Sequence, residues 1–172
     1  LRLPKQDRGK GMTAVFGYEM KEIPLTQGKV AIVDDEYFCE LSHYNWCFST
    51  LGYAIRAWPG SHGRNMWMHR EIMQPPDGIQ IDHINGNKLD NRVSNLRLAT
   101  ASQNHCNRPK SSRNTSGYKG VGKRNGRWRV KIRLNGIDYH VGYFSSLEEA
   151  AQAYDVCAKE LHGEFARINH NA

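Results

Sequence analysis

The 172-residue chain has no apolar run approaching the roughly 18 residues that a membrane-spanning helix needs. It also has no basic segment leading into a short apolar stretch of the kind that marks a secretory signal. Its four cysteines, Cys39, Cys47, Cys106 and Cys157, form no C-x-x-C pair, and no histidine spacing beside them reads as a zinc site. They are expected as free thiols in a reducing cytoplasm. These absences argue against a membrane protein and a disulfide-stapled secreted scaffold. With 39% hydrophobic residues the chain is polar yet able to build one medium domain or two small ones, which argues against full disorder. Leu1 to Gly11 reads as vector or upstream sequence, with Met12 a candidate start.

Acidic residues are also missing where they matter most. The chain carries 24 Lys and Arg against 17 Asp and Glu, a formal net charge of +7. Arg108 to Arg133 holds ten Lys and Arg and no acid. Tyr118, Trp128, Val130 and Ile132 alternate with these cations. A basic stripe interleaved with apolar residues suggests a folded surface facing phosphates, so nucleic acid is favoured over membrane or acidic protein as partner.

The first half reads as short strands and turns. Lys29 to Val33, Tyr53 to Trp58, Asn65 to Met68, Ile79 to His83 and Asn95 to Ala99 are expected strands. His69 to Met73 suggests a helical turn, while Tyr37 to Trp46 has no clear period and the region before Lys29 says little. Thr100-Ala-Ser-Gln103 is a capping box, so a short helix starts there and ends before Pro109. Ser, Arg and Asn dominate Ser111 to Ser116, within an expected linker over 110–116. Beyond it, Arg127 to Arg133 and Ile137 to Phe144 read as strands around the hairpin signal Asn135-Gly136. A second capping box, Ser146-Leu-Glu-Glu149, opens a helix that Gly163 closes. Leu147, Ala150, Ala151, Tyr154, Ala158 and Leu161 fall on one face of that helix. The second half is therefore a small antiparallel sheet with a helix on one face and arginines on the other.

Asp82-His83-Ile84-Asn85-Gly86-Asn87, followed by Asn91, Asn95-Leu96-Arg97 and Asn104, is the most informative segment. Phosphodiester hydrolysis needs a base for water, and a neutral histidine suits that task near neutral pH. It also needs a hard cation on the scissile phosphate, which a carboxylate beside an amide carbonyl can hold. Neighbouring strand residues point to opposite faces, so Asp82 and His83 can address metal and water separately. Taken singly, Asn85-Gly86-Asn87 is a turn and Asn95 a loop residue. The joint spacing carries the signal.

From about Met20 to Pro109 the pattern resembles the HNH endonucleases, the ββα-metal or His-Me finger fold, and is close to their phage and intron homing branch. The resemblance implies His83 as general base and Asn95 as the residue that holds the loop near it. It implies Asp82 and Asn104 as ligands of one divalent metal, Mg²⁺ or Mn²⁺. Asn104 stands where many members have His, which favours an oxygen-loving ion over zinc. His69 matches a histidine often found just before this fold, in a supporting role of packing or phosphate contact.

The run Ser116-Gly-Tyr-Lys-Gly-Val121, Trp128, Ile132, Val141-Gly-Tyr-Phe144, Glu148 to Ala151, Ala153-Tyr-Asp155 and Ala166-Arg-Ile-Asn169 resembles the plant ethylene-response-factor DNA-binding domain of the APETALA class. That family lays a three-stranded sheet in the major groove. The candidate DNA-binding residues are then Lys119, Lys123, Arg124, Arg127, Arg129, Lys131 and Arg133, with Arg129 free to point either way. Gly122, Lys131 and His140 replace an Arg, a Glu and a Trp of the plant pattern, and Asn125 stands for its Pro-Trp pair. The plant target sequence is therefore not carried over.

Together these readings give an α+β protein: 1–19 a tag or flexible N-terminus, 20–109 an HNH nuclease domain, 110–116 a linker, and 117–172 an ethylene-response-factor-like domain. The expected function is a metal-dependent, homing-type DNA endonuclease that nicks double-stranded DNA. It is expected in the cytoplasm, encoded by a phage or bacterium, with monomer or dimer open. The alternative is a DNA-binding regulator with an inactive HNH fold.

Overall fold

The structure is a computed structural model that describes residues 19–60 and 63–170. The expected tag or upstream segment lies outside the described residues apart from Glu19. The chain is mixed α/β, with its strands in small antiparallel sheets.

Strands β1 (Met20–Pro24) and β2 (Val30–Asp34) pair antiparallel, and helix α1 (Asp35–Leu41) follows. Next come β3 (Cys47–Phe48), β4 (Ala54–Ala57) and β5 (Asn65–Trp67), a three-stranded sheet leading into α2 (Met68–Met73). Strand β6 (Gln80–His83) pairs with β7 (Leu96–Ala99), and α3 (Ala101–Cys106) packs against that pair. Ile23, Val33, Leu41, Trp46, Met68, Ile81 and Leu96 share one buried cluster. The β1–β2 hairpin buttresses the loop between β6 and β7. Ile32 N–H donates to the Leu89 carbonyl, Asn91 N–H to the Ile32 carbonyl, and Val93 N–H to Asp34 Oδ2 at 2.7 Å.

The second half has β8 (Val121–Arg124), β9 (Arg127–Leu134) and β10 (Ile137–Phe144) in the order β10-β9-β8, with α4 (Leu147–His162) across one face. Both hairpins turn on Asn-Gly. Asn125 and Asn135 have φ of 49° and 50°, and the following glycines are also at positive φ, the combination that matches strand twist. Val121, Val130, Ile132, Ala150, Tyr154 and Ala158 form the core here. Gly120 is required on two counts: its φ is +75°, and a Cβ would run into the Tyr154 ring.

Both capping boxes form. Gln103 N–H donates to Thr100 Oγ1 while Thr100 N–H donates to Gln103 Oε1, and Ser146 and Glu149 do the same at α4. Each cap is worth about 1 kcal/mol. On α4 the expected stripe is off by one position: Leu161 is 40% exposed and His162 is buried in its place. His162 Nε2 meets the Arg133 carbonyl at 3.0 Å, so the helix end turns a polar ring inward to a strand carbonyl.

The two halves are joined by more than the chain between them. Ala99, Cys106 and Phe165 form a further buried cluster with Leu134 packed on it. Asn135 N–H donates to Ser102 Oγ, and Lys119 Nζ donates to the Cys106 carbonyl. The connecting segment 110–116 is itself tied down: Asn114 Nδ2 donates to the Tyr118 carbonyl and Ser116 Oγ to the Val121 carbonyl.

Candidate active site

Asp82 and His83 end β6 opposite Arg97 and Leu96 of β7, both nearly buried at 4% and 5% exposure. Strand alternation sends them to opposite faces. On the Asp82 face, Arg97 Nε and Nη2 donate to Asp82 Oδ2 at 2.9 and 2.7 Å. Asn107 Nδ2 lies 3.0 Å from Asp82 Oδ1 and also donates to the His83 carbonyl at 2.9 Å.

His83 Nε2 lies 3.4 Å from Asn91 Oδ1. Asn91 is fully buried, and its Nδ2 donates to the Leu89 carbonyl at 3.2 Å. A carbonyl only accepts, so the amide orientation is fixed and Asn91 presents its oxygen to the imidazole. Nε2 therefore carries the proton, and Nδ1 keeps its lone pair. Burial pushes the His83 pKa below its ordinary value, against opposing effects of the Asn91 bond and of Asp82 and Asp90. The ring is neutral at physiological pH.

Asn95 staples the loop that follows. Its Oδ1 accepts from Asn85 N–H at 3.0 Å, its Nδ2 donates to the Asp90 carbonyl, and its own carbonyl accepts from Ile84 N–H. Asp90 is held by Arg92 and by Asn85 Nδ2, and the Arg92 guanidinium depresses its carboxyl pKa.

Helix α3 runs along β6, setting Asn104 over Gln80 and Asn107 over Asp82. Asn104 Nδ2 donates to Gln80 Oε1 at 2.7 Å. Its carbonyl oxygen has no donor among the described residues. Asn107 was not anticipated. It caps α3 one turn after Asn104, and residues three apart share a helix face, so the sequence alone does not choose between them.

His69 sits beneath the site. Its ring is 5.2 Å from His83 and 5.1 Å from Tyr53, with Trp67 beyond. Its Nδ1 is buried without a hydrogen-bond partner, and burial, then the nearby His83, push its pKa down to about 3. It packs rather than lining the cleft.

The cleft itself is a cavity of about 410 Å³. Asp82, His83, Asn104 and Asn107 face it together with three cations, Lys88, Arg108 and Arg167. A larger cavity of about 570 Å³ lies against α1, β5 and α2 and contains none of these groups. Among the described residues no three His, Cys, Asp or Glu side chains converge. The donors at the cleft are one carboxylate and two amides, the all-oxygen chemistry of a hard cation. Among the described residues, Asp82 Oδ1 has Asn107 as its one hydrogen-bond partner and the Asn104 side-chain carbonyl has none, so the residues present fit such an ion. A neutral imidazole with a free lone pair, lining the same cationic cleft as these oxygens, is equipped to deprotonate water next to a phosphate.

The basic sheet face is more selective than the sequence suggested. Arg127, Arg129, Lys131 and Arg133 alternate with Val130 and Ile132, which are in the core, so all four point away from α4. Arg124 faces Arg127 across the β8–β9 pair and joins them. Lys123 does not: it pairs with Trp128 on the other face, its Nζ 5.5 Å from that ring. Lys119 is not on this face either, because its ammonium meets α3 at the Cys106 carbonyl, and burial lowers its pKa to about 8. Lys131 and Arg133 both pair with Asp138, at 2.6 and 2.7 Å.

Comparison with known proteins points to the same stretch of chain. The HNH endonuclease family matches residues 74–106, which span β6, the stapled loop, β7 and α3. The chain is 34% identical over 145 residues to an uncharacterized HNH endonuclease of Acanthamoeba polyphaga mimivirus, covering 83% of this chain and 76% of that protein. The chain belongs to the HNH endonuclease family. It is also 39% identical over 95 residues to Protein 3.8 of Escherichia phage T7, covering 54% of this chain and 78% of the phage protein. The C-terminal region is similar to plant DNA-binding proteins, among them an ethylene-responsive transcription factor of Arabidopsis thaliana, 41% identical over 63 residues. That match covers 35% of this chain and 25% of the plant protein. No helix among the described residues is long and apolar enough to cross a membrane.

Proposed function

We propose that this protein is a metal-dependent, homing-type endonuclease that nicks double-stranded DNA. In this reading residues 20–109 form a ββα-metal nuclease unit, joined through 110–116 to a DNA-binding unit, 117–172. The observation that carries it is the orientation of His83: Asn91 occupies Nε2, and Nδ1 is left to take a proton from water. His83 is the general base. Asn95 holds the loop after β6 so that the imidazole keeps its aim. Asp82 and Asn104 hold one Mg²⁺ or Mn²⁺, Asn104 through the carbonyl oxygen that its Gln80 bond leaves free. The bound ion offsets charge on the scissile phosphate and the departing 3′ oxygen. Arg97 and Asn107 fix the Asp82 carboxylate.

Arg124, Arg127, Arg129, Lys131 and Arg133 contact DNA from the sheet, arginine being the common reader of guanine and lysine a frequent phosphate contact. One site cuts one strand, so a double-strand break takes two events or a dimer. The setting is the cytoplasm of a phage-infected or bacterial cell.

A second reading is favoured by one contact: the Asp82 carboxylate is already paired by Arg97, as suits a DNA-binding regulator with an inactive nuclease fold. Supercoiled plasmids carrying a genomic library, incubated with Mg²⁺, Mn²⁺ or EDTA, separate the two. Metal-dependent nicking by the wild type and none by His83→Ala is expected. Salt-sensitive binding without nicking by either protein would support the regulator.

A further inference from the structure

Arg167 comes from the C-terminal half, yet it lines the cleft that holds Asp82 and His83. Its placement follows from the chain around it. Ala166 and Ile168 pack into the C-terminal core, so the intervening side chain points outward. Asn169 then locks the segment: its Oδ1 accepts from Lys119 N–H at 2.7 Å, and its own N–H donates to Asp155 Oδ1 at 2.6 Å. Three residues earlier the same segment grips the nuclease half. Arg97 Nη1 donates to the Glu164 carbonyl at 2.6 Å, and the Arg97 guanidinium lies 3.9 Å over the Phe165 ring. Arg167 is thus fixed from both ends.

Its guanidinium lies against Gly86, three residues after His83. A Cβ built on Gly86 would fall 2.5 Å from Arg167 Nη1, so the glycine leaves room for the close approach. Of the other arginines near the site, Arg97 holds Asp82 and Arg92 holds Asp90, while Arg108 lines the cleft from the segment after α3. Among the described residues Arg167 has no carboxylate partner and makes no side-chain hydrogen bond. A half-buried guanidinium whose donors have no protein partner among the described residues, facing a cleft that contains a histidine, is suited to a phosphate.

We infer that Arg167 is a phosphate-contacting residue that the C-terminal half lends to the nuclease cleft, so that the active site is built from both halves of the chain. The inference rests on the nuclease reading above. It makes the C-terminal half a part of the cutting site as well as an anchor on DNA. The guanidinium grips the phosphate beside the one being cut or the scissile phosphate itself, and charge developing there in the transition state strengthens the contact.

The test uses full-length wild type, Arg167→Ala, Arg167→Lys, Lys159→Ala and His83→Ala. Lys159 is an exposed cation on α4 and controls for charge alone. Single-turnover plasmid nicking is measured at saturating protein. Binding to a 30-bp duplex, about 30 base pairs being ample for one footprint, is measured in EDTA over a salt series. Arg167→Ala should slow nicking by about 10- to 100-fold, and Arg167→Lys should recover part of the loss. The slope of log affinity against log salt should fall by about one for Arg167→Ala. Lys159→Ala should match wild type in both. Nicking by Arg167→Ala at the wild-type rate, or a loss equalled by Lys159→Ala, overturns the inference and leaves the nuclease reading intact. Wild type and His83→Ala both failing to nick would sink the nuclease reading and this proposal with it. Thermal melting checks that the variants keep their fold.

Discussion

The cleft and the outer sheet face both gather cations, but they hold them differently. Behind the cleft, Arg97 is nearly buried and committed to three partners: Asp82, the Glu164 carbonyl and the Phe165 ring. On the sheet, Arg124, Arg127 and Arg129 stand in a row with no carboxylate partner among the described residues. A committed, buried charge is lost all at once. A row of exposed ones is lost by degrees.

That contrast orders the expected effects. The largest belongs to His83→Ala, which should lower nicking by about 10²- to 10⁴-fold, the usual worth of a positioned base. DNA binding should stay within a few-fold in gel-shift titrations, and its collapse would make His83 a structural residue. Arg97→Ala comes next. It leaves the Asp82 carboxylate buried without its ion-pair partner, which costs about 3–5 kcal/mol in urea unfolding. A loss below about 1 kcal/mol, the range of surface pairs, would place Arg97 with the sheet cations.

The acid limb is a third way to sharpen the comparison. In the proposed mechanism catalysis needs neutral His83, and burial lowers its pKa, so nicking should persist as pH drops through the ordinary histidine value and fall only below it. Stability follows the same sign. His69 has a folded pKa of about 3, so between that value and about 6.5 the unfolded chain binds more protons. Its contribution is complete above the unfolded pKa and is lost as pH falls toward the folded one. Urea midpoints at pH 7 and pH 5 should differ, and His69→Leu should narrow the gap.

The smallest effects belong to the sheet. Arg129→Ala should weaken DNA binding a few-fold and reduce the salt slope by about one. Asp138→Asn should move affinity the other way, because it releases Lys131 and Arg133. Lys119→Ala should leave the slope unchanged, since that ammonium faces α3. An equal slope change for Lys119 and Arg129 would erase the distinction between interface and face.

Local signals carried much of the fold. Two capping boxes, an Asn-Gly turn and alternating strands marked α3, α4, β9 and β10 within a residue or two, because each is decided by neighbours in sequence. What the sequence hid depends on distant partners. Strand β1 has one buried residue in five and a proline, so it has almost no period of its own, and pairing with β2 creates it. Helix α1 lies in the aromatic stretch that showed no pattern.

The site shows the same division. The Asp-His pair and Asn95 stood out by their joint spacing, and the family resemblance implied that Asn95 holds the loop. Asn107 was not, since it competes with Asn104 on one helical face. Nor were Lys119 and Arg167, whose surroundings are set by how the halves dock. A basic stripe announces charge but not which cations are spent inside the protein.

The docking of Arg97 on Phe165 bears on how such a chain can be recombined. Residues 20–109 transplanted onto a different C-terminal module would arrive with Arg97 stripped of its aromatic platform and with Ala99 and Cys106 facing water. A working chimera would have to import the Gly163–Asn169 strap along with residues 20–109, so the natural seam for shuffling lies after the strap's own sheet and helix rather than at the apparent linker.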